Sequence, residues 1–201
     1  MMMEKKENFF RKFWNFLWND DSLASWIVNI VLAFVLIKFV VYPFVGLLFG
    51  TGLPVVAVVS ESMEHNRGFD QWWSEEGDYY QLLSITEKEF RHFPFRNGFN
   101  KGDIMILVGK EPEEIRLGDV IVFQSGKPYP IIHRVIVVEE DHFQTKGDNN
   151  PLQIKDIQLD ETRVVYDSLL GKAVFRIPFL GYVKIWAVDL LNVVGLGYVL
   201  G

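Results

Sequence analysis

The longest apolar run in the chain extends from Ala24 through Phe49, interrupted by Asn29, Lys38 and Pro43. It exceeds the ~20 residues needed to cross a hydrocarbon core, so residues 23–42 are predicted to form a transmembrane helix. Lys38 falls near the end of that span, where its ammonium can snorkel to the interface. Trp26 and Tyr42 stand where interfacial aromatics are expected. Ahead of the run, residues 1–22 mix Lys5, Lys6, Arg11 and Lys12 with Phe9, Phe10, Phe13, Trp14, Phe16, Leu17 and Trp18 at roughly helical spacing. This is an amphipathic leader expected to lie on a membrane surface, packing on the soluble domain being the other reading. Because the basic residues precede the span, the positive-inside bias predicts a single-pass cell-membrane protein, with its N-terminus cytoplasmic and the rest extracytoplasmic. A cleaved signal peptide has a shorter apolar core and a shorter leader.

After the span the pattern changes to short β-branched runs punctuated by turn residues. Pro54 to Val59 follows Gly50 and Gly52 and reads as a short buried strand. Residues 101–108 and 117–123 each couple a Gly-Asp turn to an apolar run of strand length. Residues 130–138 and 142–145 continue the series, Gly147 to Pro151 is a strong turn, and strands are expected near Val164 and over Gly171 to Ile177. The predicted fold is therefore mainly β: an antiparallel domain over residues 43–184, anchored by an N-terminal transmembrane helix. An insertion at 66–99 carries Trp72, Trp73, Tyr79, Tyr80, Phe90, Phe93, Phe95 and Phe99. A short helix is expected at Ser84 to His92, and the aromatics either dock on a membrane or form a satellite core. Residues 185–201 are apolar but contain Asp189 and Asn192, and are expected to be interfacial or packed because Asp189 would cost about 2.5–3.5 kcal/mol near a bilayer centre.

Composition narrows the function. The 201 residues are 49% apolar, carry a net charge of -6 and include no cysteine. No basic footprint for nucleic acid is present, and neither a disulfide framework nor a cysteine nucleophile is available. No metal or cofactor is expected.

The candidate chemistry lies where the strand of residues 54–59 ends in Ser60 and Ser62. A serine hydroxyl is hardly ionised at neutral pH and needs a base within hydrogen-bond reach to act as a nucleophile. Serines at strand ends more commonly serve turns. Of the four histidines, His65 is in the same turn as Ser62, at a spacing that argues against productive geometry. His92 is in the insertion and His142 follows an acidic turn. His133 sits inside a β-branched run, where a polar ring costs stability unless it is hydrogen-bonded; a satisfied strand histidine is the plain alternative.

Four segments, Ser60 to Met63, Arg116 to Phe123, Ile132 to Ile136 and Thr145 to Asn150, follow in that order behind a transmembrane segment. They resemble the conserved boxes of the type I signal peptidases over Leu23 to Trp186. The resemblance is to the archaeal and endoplasmic-reticulum branch, which has histidine where the bacterial enzymes have a catalytic lysine. It implies a β catalytic domain of signal-peptidase type and a membrane-bound serine endopeptidase that removes signal peptides from secreted precursors after small residues. By position, Ser62 is the nucleophile and His133 the general base, with the Ser60 hydroxyl and Ser62 N–H as oxyanion hole. A histidine of ordinary pKa ~6.5 can accept the serine proton near neutral pH, whereas a lysine at ~10.4 must first be desolvated. The family has a second aspartate shortly after that of the Gly-Asp-Asn-Asn box, where this chain has Ile154. Asp148 and Asp156 are thus joint candidates for orienting His133. His65 stands where the box normally allows proline. Val58, Val59 and Met63 are candidates to line pockets for small side chains, core packing being the plain reading of each. Expected partners are precursor proteins, membrane lipid and the translocation machinery. The alternatives are the same fold with a Ser/Lys dyad using Lys146 or Lys127, and a non-catalytic membrane-anchored β-domain that binds secretion partners.

Overall fold

A computed structural model describes residues 8–182 and 186. Lys5 and Lys6 of the leader, and the segment at 185–201 apart from Trp186, lie outside the described residues. The chain divides into two compact units, Met1–Leu48 and Phe49–Gly201.

In the first unit, α1 (Phe9–Asn19) carries the aromatic residues of the leader. It is followed by α2 (Leu23–Leu36), a π-helical turn at Ile37–Val41, and α3 (Tyr42–Phe49). Ser22 caps α2 by accepting from the Ser25 N–H. Two polar side chains of α2 complete the end of α1: the Ser25 hydroxyl donates to the Phe16 carbonyl at 2.6 Å and the Asn29 amide to Leu17 at 2.9 Å. The last carbonyls of a helix have no partner within it, so Asn29 interrupts the apolar run for a local reason. Leu23–Phe49 is one continuous helix of 27 residues, long and apolar enough to cross a membrane. It passes the expected end at Tyr42 because the turn before Pro43 widens: the Tyr42 N–H reaches back to the Ile37 carbonyl. An ordinary α turn would push the proline ring into the carbonyl four residues earlier.

Among the described residues of the second unit, seven strands form one antiparallel sheet in the order β1-β2-β7-β3-β4-β5-β6. They are β1 (Val55–Ala57), β2 (Ile104–Val108), β3 (Val120–Phe123), β4 (Ile131–Val138), β5 (His142–Lys146), β6 (Val164–Val165) and β7 (Leu169–Ile177). Side chains alternate between the faces of a strand, and β3 is buried on both: Val120 and Val122 enter one core with Met105, Leu107 and Phe99, while Ile121 and Phe123 enter another with Val135 and Phe143. The central position of β3, between β7 and β4, makes this possible.

The insertion at 66–99 lies between β1 and β2 and is more helical than its sequence suggests. It contains α4 (Phe69–Leu82) and α5 (Glu87–Phe90), the latter opened by a capping box between Thr86 and Glu89. Phe69, Trp72, Trp73 and Tyr80 share a stripe of α4 and pack with Ile85, Phe90 and Ile136 of β4. Of the two expectations for these aromatics, the satellite core is therefore the one found. Gly77 opens room for it, since a Cβ there would lie 2.8 Å from the Trp73 indole. A bridge between Glu64 and Gly98 closes the neck of the insertion, where the Phe99 N–H donates to the Met63 carbonyl at 2.9 Å.

Phe90 is fully buried at the centre of this cluster, so Phe90→Ala should cost about 3–5 kcal/mol. Thermal unfolding of the full chain in detergent, followed by tryptophan fluorescence, should show the loss first in the signal from Trp72 and Trp73.

Candidate active site

Ser62 lies in the turn that leaves β1, and the turn is held from behind. The Asn149 N–H donates to the Ser62 carbonyl at 2.8 Å, and the Asn149 side chain to the Glu61 carbonyl at 3.1 Å. The Ser62 hydroxyl meets His133 Nε2 at 2.9 Å and the Ser60 hydroxyl at 3.1 Å. His133 is fixed by its strand, where β4 pairs it with Ile121 of β3. Gly147 faces the same point: a Cβ there would lie 2.9 Å from both His133 Nε2 and the Ser62 carbonyl. The glycine is what lets the turn after β5 approach the two side chains.

The other imidazole nitrogen, Nδ1, is 2.5 Å from Oε1 of Glu161. A carboxylate can only accept there, so Nδ1 carries the proton and Nε2 offers its lone pair to the Ser62 O–H. Glu161 is fully buried. Its second oxygen accepts from the Ile154 N–H at 2.7 Å and its first also from the Thr145 hydroxyl at 3.3 Å. The carboxylate therefore arrives with its hydrogen bonds satisfied and its direction set.

Neither aspartate expected to orient His133 is on it. Asp148 is fully buried and its oxygens are taken by other donors. Arg134 binds it through Nε and Nη2 at 2.9 and 2.7 Å, the Tyr80 hydroxyl at 2.9 Å, and His65 Nε2 at 3.1 Å. Burial opposes its ionisation, but the Arg134 charge and the hydrogen bonds from His65 and Arg134 outweigh that and hold the carboxyl well below the usual carboxylate range. Asp156 instead caps its own turn by accepting from the Gln158 and Leu159 N–H groups at 2.7 and 2.9 Å, and faces Lys127 at 3.8 Å. His65 is occupied too, stacked on Trp72 with ring centres 3.7 Å apart.

Both lysines named as alternative bases are engaged elsewhere. Lys127 pairs with Asp156. Lys146 is fully buried over the rings of Tyr79 and Tyr80, with its ammonium donating to the Gly147 carbonyl at 3.1 Å. Burial lowers its pKa against the opposing pull of Asp148 and Glu76. Of the candidate pocket residues, Val58 and Met63 are 1% exposed and belong to the core with Phe99 and Leu107. This corrects their assignment, since the alternation that turns Val59 outward turns Val58 in. Val59, 52% exposed, remains open to solvent.

No family model matches the chain. Its sequence is 34% identical over 94 residues to the signal peptidase complex catalytic subunit SEC11C of Homo sapiens, covering 43% of this chain and 49% of that protein. It is 35% identical over 96 residues to the signal peptidase complex catalytic subunit SEC11 of Lodderomyces elongisporus, and equally so to that of Candida tropicalis, covering 43% of this chain and 56% of each. Over those residues the chain is similar to signal peptidase catalytic subunits. It spans about half the length of the relatives it matches.

Glu161 is the residue that sequence reasoning missed. The signal peptidase resemblance directs attention to an aspartate soon after the Gly-Asp-Asn-Asn turn, whereas the carboxylate comes from a glutamate just before β6. A glutamate is one methylene longer and can reach from farther along the chain. Nothing in the local sequence separates it from the neighbouring Asp160, which accepts from the Thr162 N–H and hydroxyl.

The state of Asp148 gives a pH prediction. A carboxyl whose pKa is depressed on folding stabilises the fold above its unfolded value, ~3.9, and loses that contribution as pH falls through the lower folded value. Asp148→Asn should therefore destabilise the protein by about 3–5 kcal/mol at pH 7, because it strands the buried Arg134 charge. In denaturant unfolding, the gap between parent and variant should hold steady down to about pH 4 and narrow below it.

Proposed function

We propose that this chain is a serine endopeptidase that removes signal peptides, with Ser62 as nucleophile, His133 as general base and Glu161 as the group that orients the imidazole. The observation that carries the reading is the line from the Ser62 hydroxyl to His133 Nε2 at 2.9 Å and from His133 Nδ1 to Glu161 at 2.5 Å. In the reaction, Nε2 takes the hydroxyl proton as Oγ attacks the scissile carbonyl. The negative charge that develops on the carbonyl oxygen is received by the Ser62 N–H and by the Ser60 hydroxyl, which turns from its contact with Ser62 toward the new oxyanion. Glu161 stabilises the imidazolium, which then gives its proton to the departing amine. Water, deprotonated by the same nitrogen, then attacks the acyl carbon, and Ser62 Oγ leaves with the proton returned from Nε2.

The likeness to signal peptidase catalytic subunits supports signal peptides as substrates, and exposed Val59 beside the nucleophile is the residue best placed to meet the small side chains before the cut. The helix Leu23–Phe49 anchors the enzyme in the membrane, with the basic leader on the cytoplasmic side and Ser62 on the other. There it meets precursors handed on by the translocation machinery.

Cleavage of a membrane-inserted precursor with an Ala-X-Ala site tests the reading. Ser62→Ala and His133→Ala should each lower kcat by about 10⁶-fold, and Ser60→Ala by about 10² to 10³. Undiminished cleavage by Ser62→Ala would remove the proposal.

A further inference from the structure

Two consecutive phenols of α4 reach the two halves of this site by separate routes. The Tyr80 hydroxyl donates to Asp148 at 2.9 Å. The next residue, Asn149, grips the Ser62 carbonyl through its N–H and the Glu61 carbonyl through its side chain. The Trp72 indole N–H adds a bond to the Asp148 carbonyl at 3.0 Å. On the other route, the Tyr79 hydroxyl donates to Gln153 Oε1 at 2.9 Å. The amide nitrogen of Gln153 donates in turn to the carbonyls of Thr145 and Glu161, at 3.0 and 2.9 Å. Glu161 is the residue on His133 Nδ1.

Arg134, next to His133 on β4, closes the connection. All five of its N–H groups are used: two on Asp148, two on Pro94 and Phe95 of the insertion, and one on Gly118. Its guanidinium lies 4.7 Å above the Phe90 ring. The insertion thus touches the nucleophile turn, the base strand and the loop that bears Glu161. Burial, with the Asp148 charge nearby, raises the pKa of Tyr80 well above its ordinary value, and burial with Glu161 raises that of Tyr79. Both phenols therefore remain protonated donors throughout the working pH range.

We propose that the helical insertion is a positioning element of the site, with Tyr80 setting the nucleophile turn and Tyr79 setting the carboxylate that directs His133. This rests on the serine-peptidase reading, and it assigns a role to a segment that the four signal-peptidase boxes do not include. Reacting groups must be held within a fraction of an ångström for full rate, so loosening either route should reduce turnover more than substrate affinity.

The test uses Tyr79→Phe and Tyr80→Phe in the full-length chain, each removing one hydroxyl and keeping the ring that fills the aromatic cluster. Kinetics of precursor cleavage, thermal unfolding and labelling by a serine-directed phosphonate are measured together. Tyr80→Phe should lower kcat and the labelling rate about tenfold with KM within twofold of the parent. Tyr79→Phe should lower kcat about fivefold and move the acid limb of the kcat/KM profile to lower pH, because a looser Glu161 stabilises the imidazolium less. Gln153→Leu cuts the second route from outside the insertion. It should reproduce the effect of Tyr79→Phe, and adding Tyr79→Phe to it should cost nothing further. If the Phe variants only lower the unfolding midpoint while kcat, labelling and pH profile stay within twofold of an active parent, the insertion is scaffold and the inference fails alone. If the parent neither cleaves nor takes the phosphonate on Ser62, the serine-peptidase reading fails and takes the inference with it.

Discussion

The Arg134 and Asp148 side chains carry opposite full charges with no exposure to water. Desolvation of two ions costs several kcal/mol each, and their attraction repays it only when the remaining donors and acceptors are also satisfied. Here they are satisfied by groups from three separate segments of the second unit: the insertion supplies Tyr80 and two backbone carbonyls, the turn of Ser62 supplies His65, and the approach to β3 supplies Gly118. Moving any of these segments would leave a buried donor or acceptor of the pair without a partner. The pair thus acts as a geometric lock, and the positions of Ser62 and His133 follow from it.

Once the lock is closed, the contact between Ser62 and His133 needs little more. Arg134 fixes the register of β4, and its neighbour His133 is placed against Ile121 of the adjacent strand. Asp148 fixes the turn after β5, and its neighbours Gly147 and Asn149 admit and hold Ser62. Glu161 sets the imidazole tautomer from a loop of its own. Positional precision is concentrated in buried backbone and ion-pair contacts, while Ser60 and Val59 remain exposed.

Much of the fold was legible in the sequence, because β-branched runs between Gly-Asp turns carry a strand signal of short range. The apolar helix was legible for the same reason, and only its end was misplaced, since widening of the turn before Pro43 depends on local hydrogen bonding that composition does not reveal. Helix α4 was missed because Asp70, Gln71, Ser74, Glu75, Glu76 and Asp78 mask the stripe formed by Phe69, Trp72, Trp73 and Tyr80. In the site, Ser62 and His133 could be singled out from their segments, and the fold brings them within hydrogen-bond distance. Which carboxylate bonds His133 could not, because Asp148, Asp156, Asp160 and Glu161 differ in what the folded chain has already bonded to them. Local sequence gives residue type, and the choice among four carboxylates is made by tertiary contacts. Val58 and Met63 were misassigned for a related reason: apolar residues beside Ser62 look alike in sequence whether they line a surface pocket or the core.

The most direct measurement of the central claim is to map where a serine-directed phosphonate reacts with the full-length protein, by peptide mass analysis, in the parent and in Glu161→Gln. The expected result is a single adduct, on Ser62, formed much more slowly in the variant, whose neutral amide cannot stabilise the imidazolium. An adduct on another residue, or equal rates in the two proteins, would contradict the Ser62, His133 and Glu161 arrangement as the working centre.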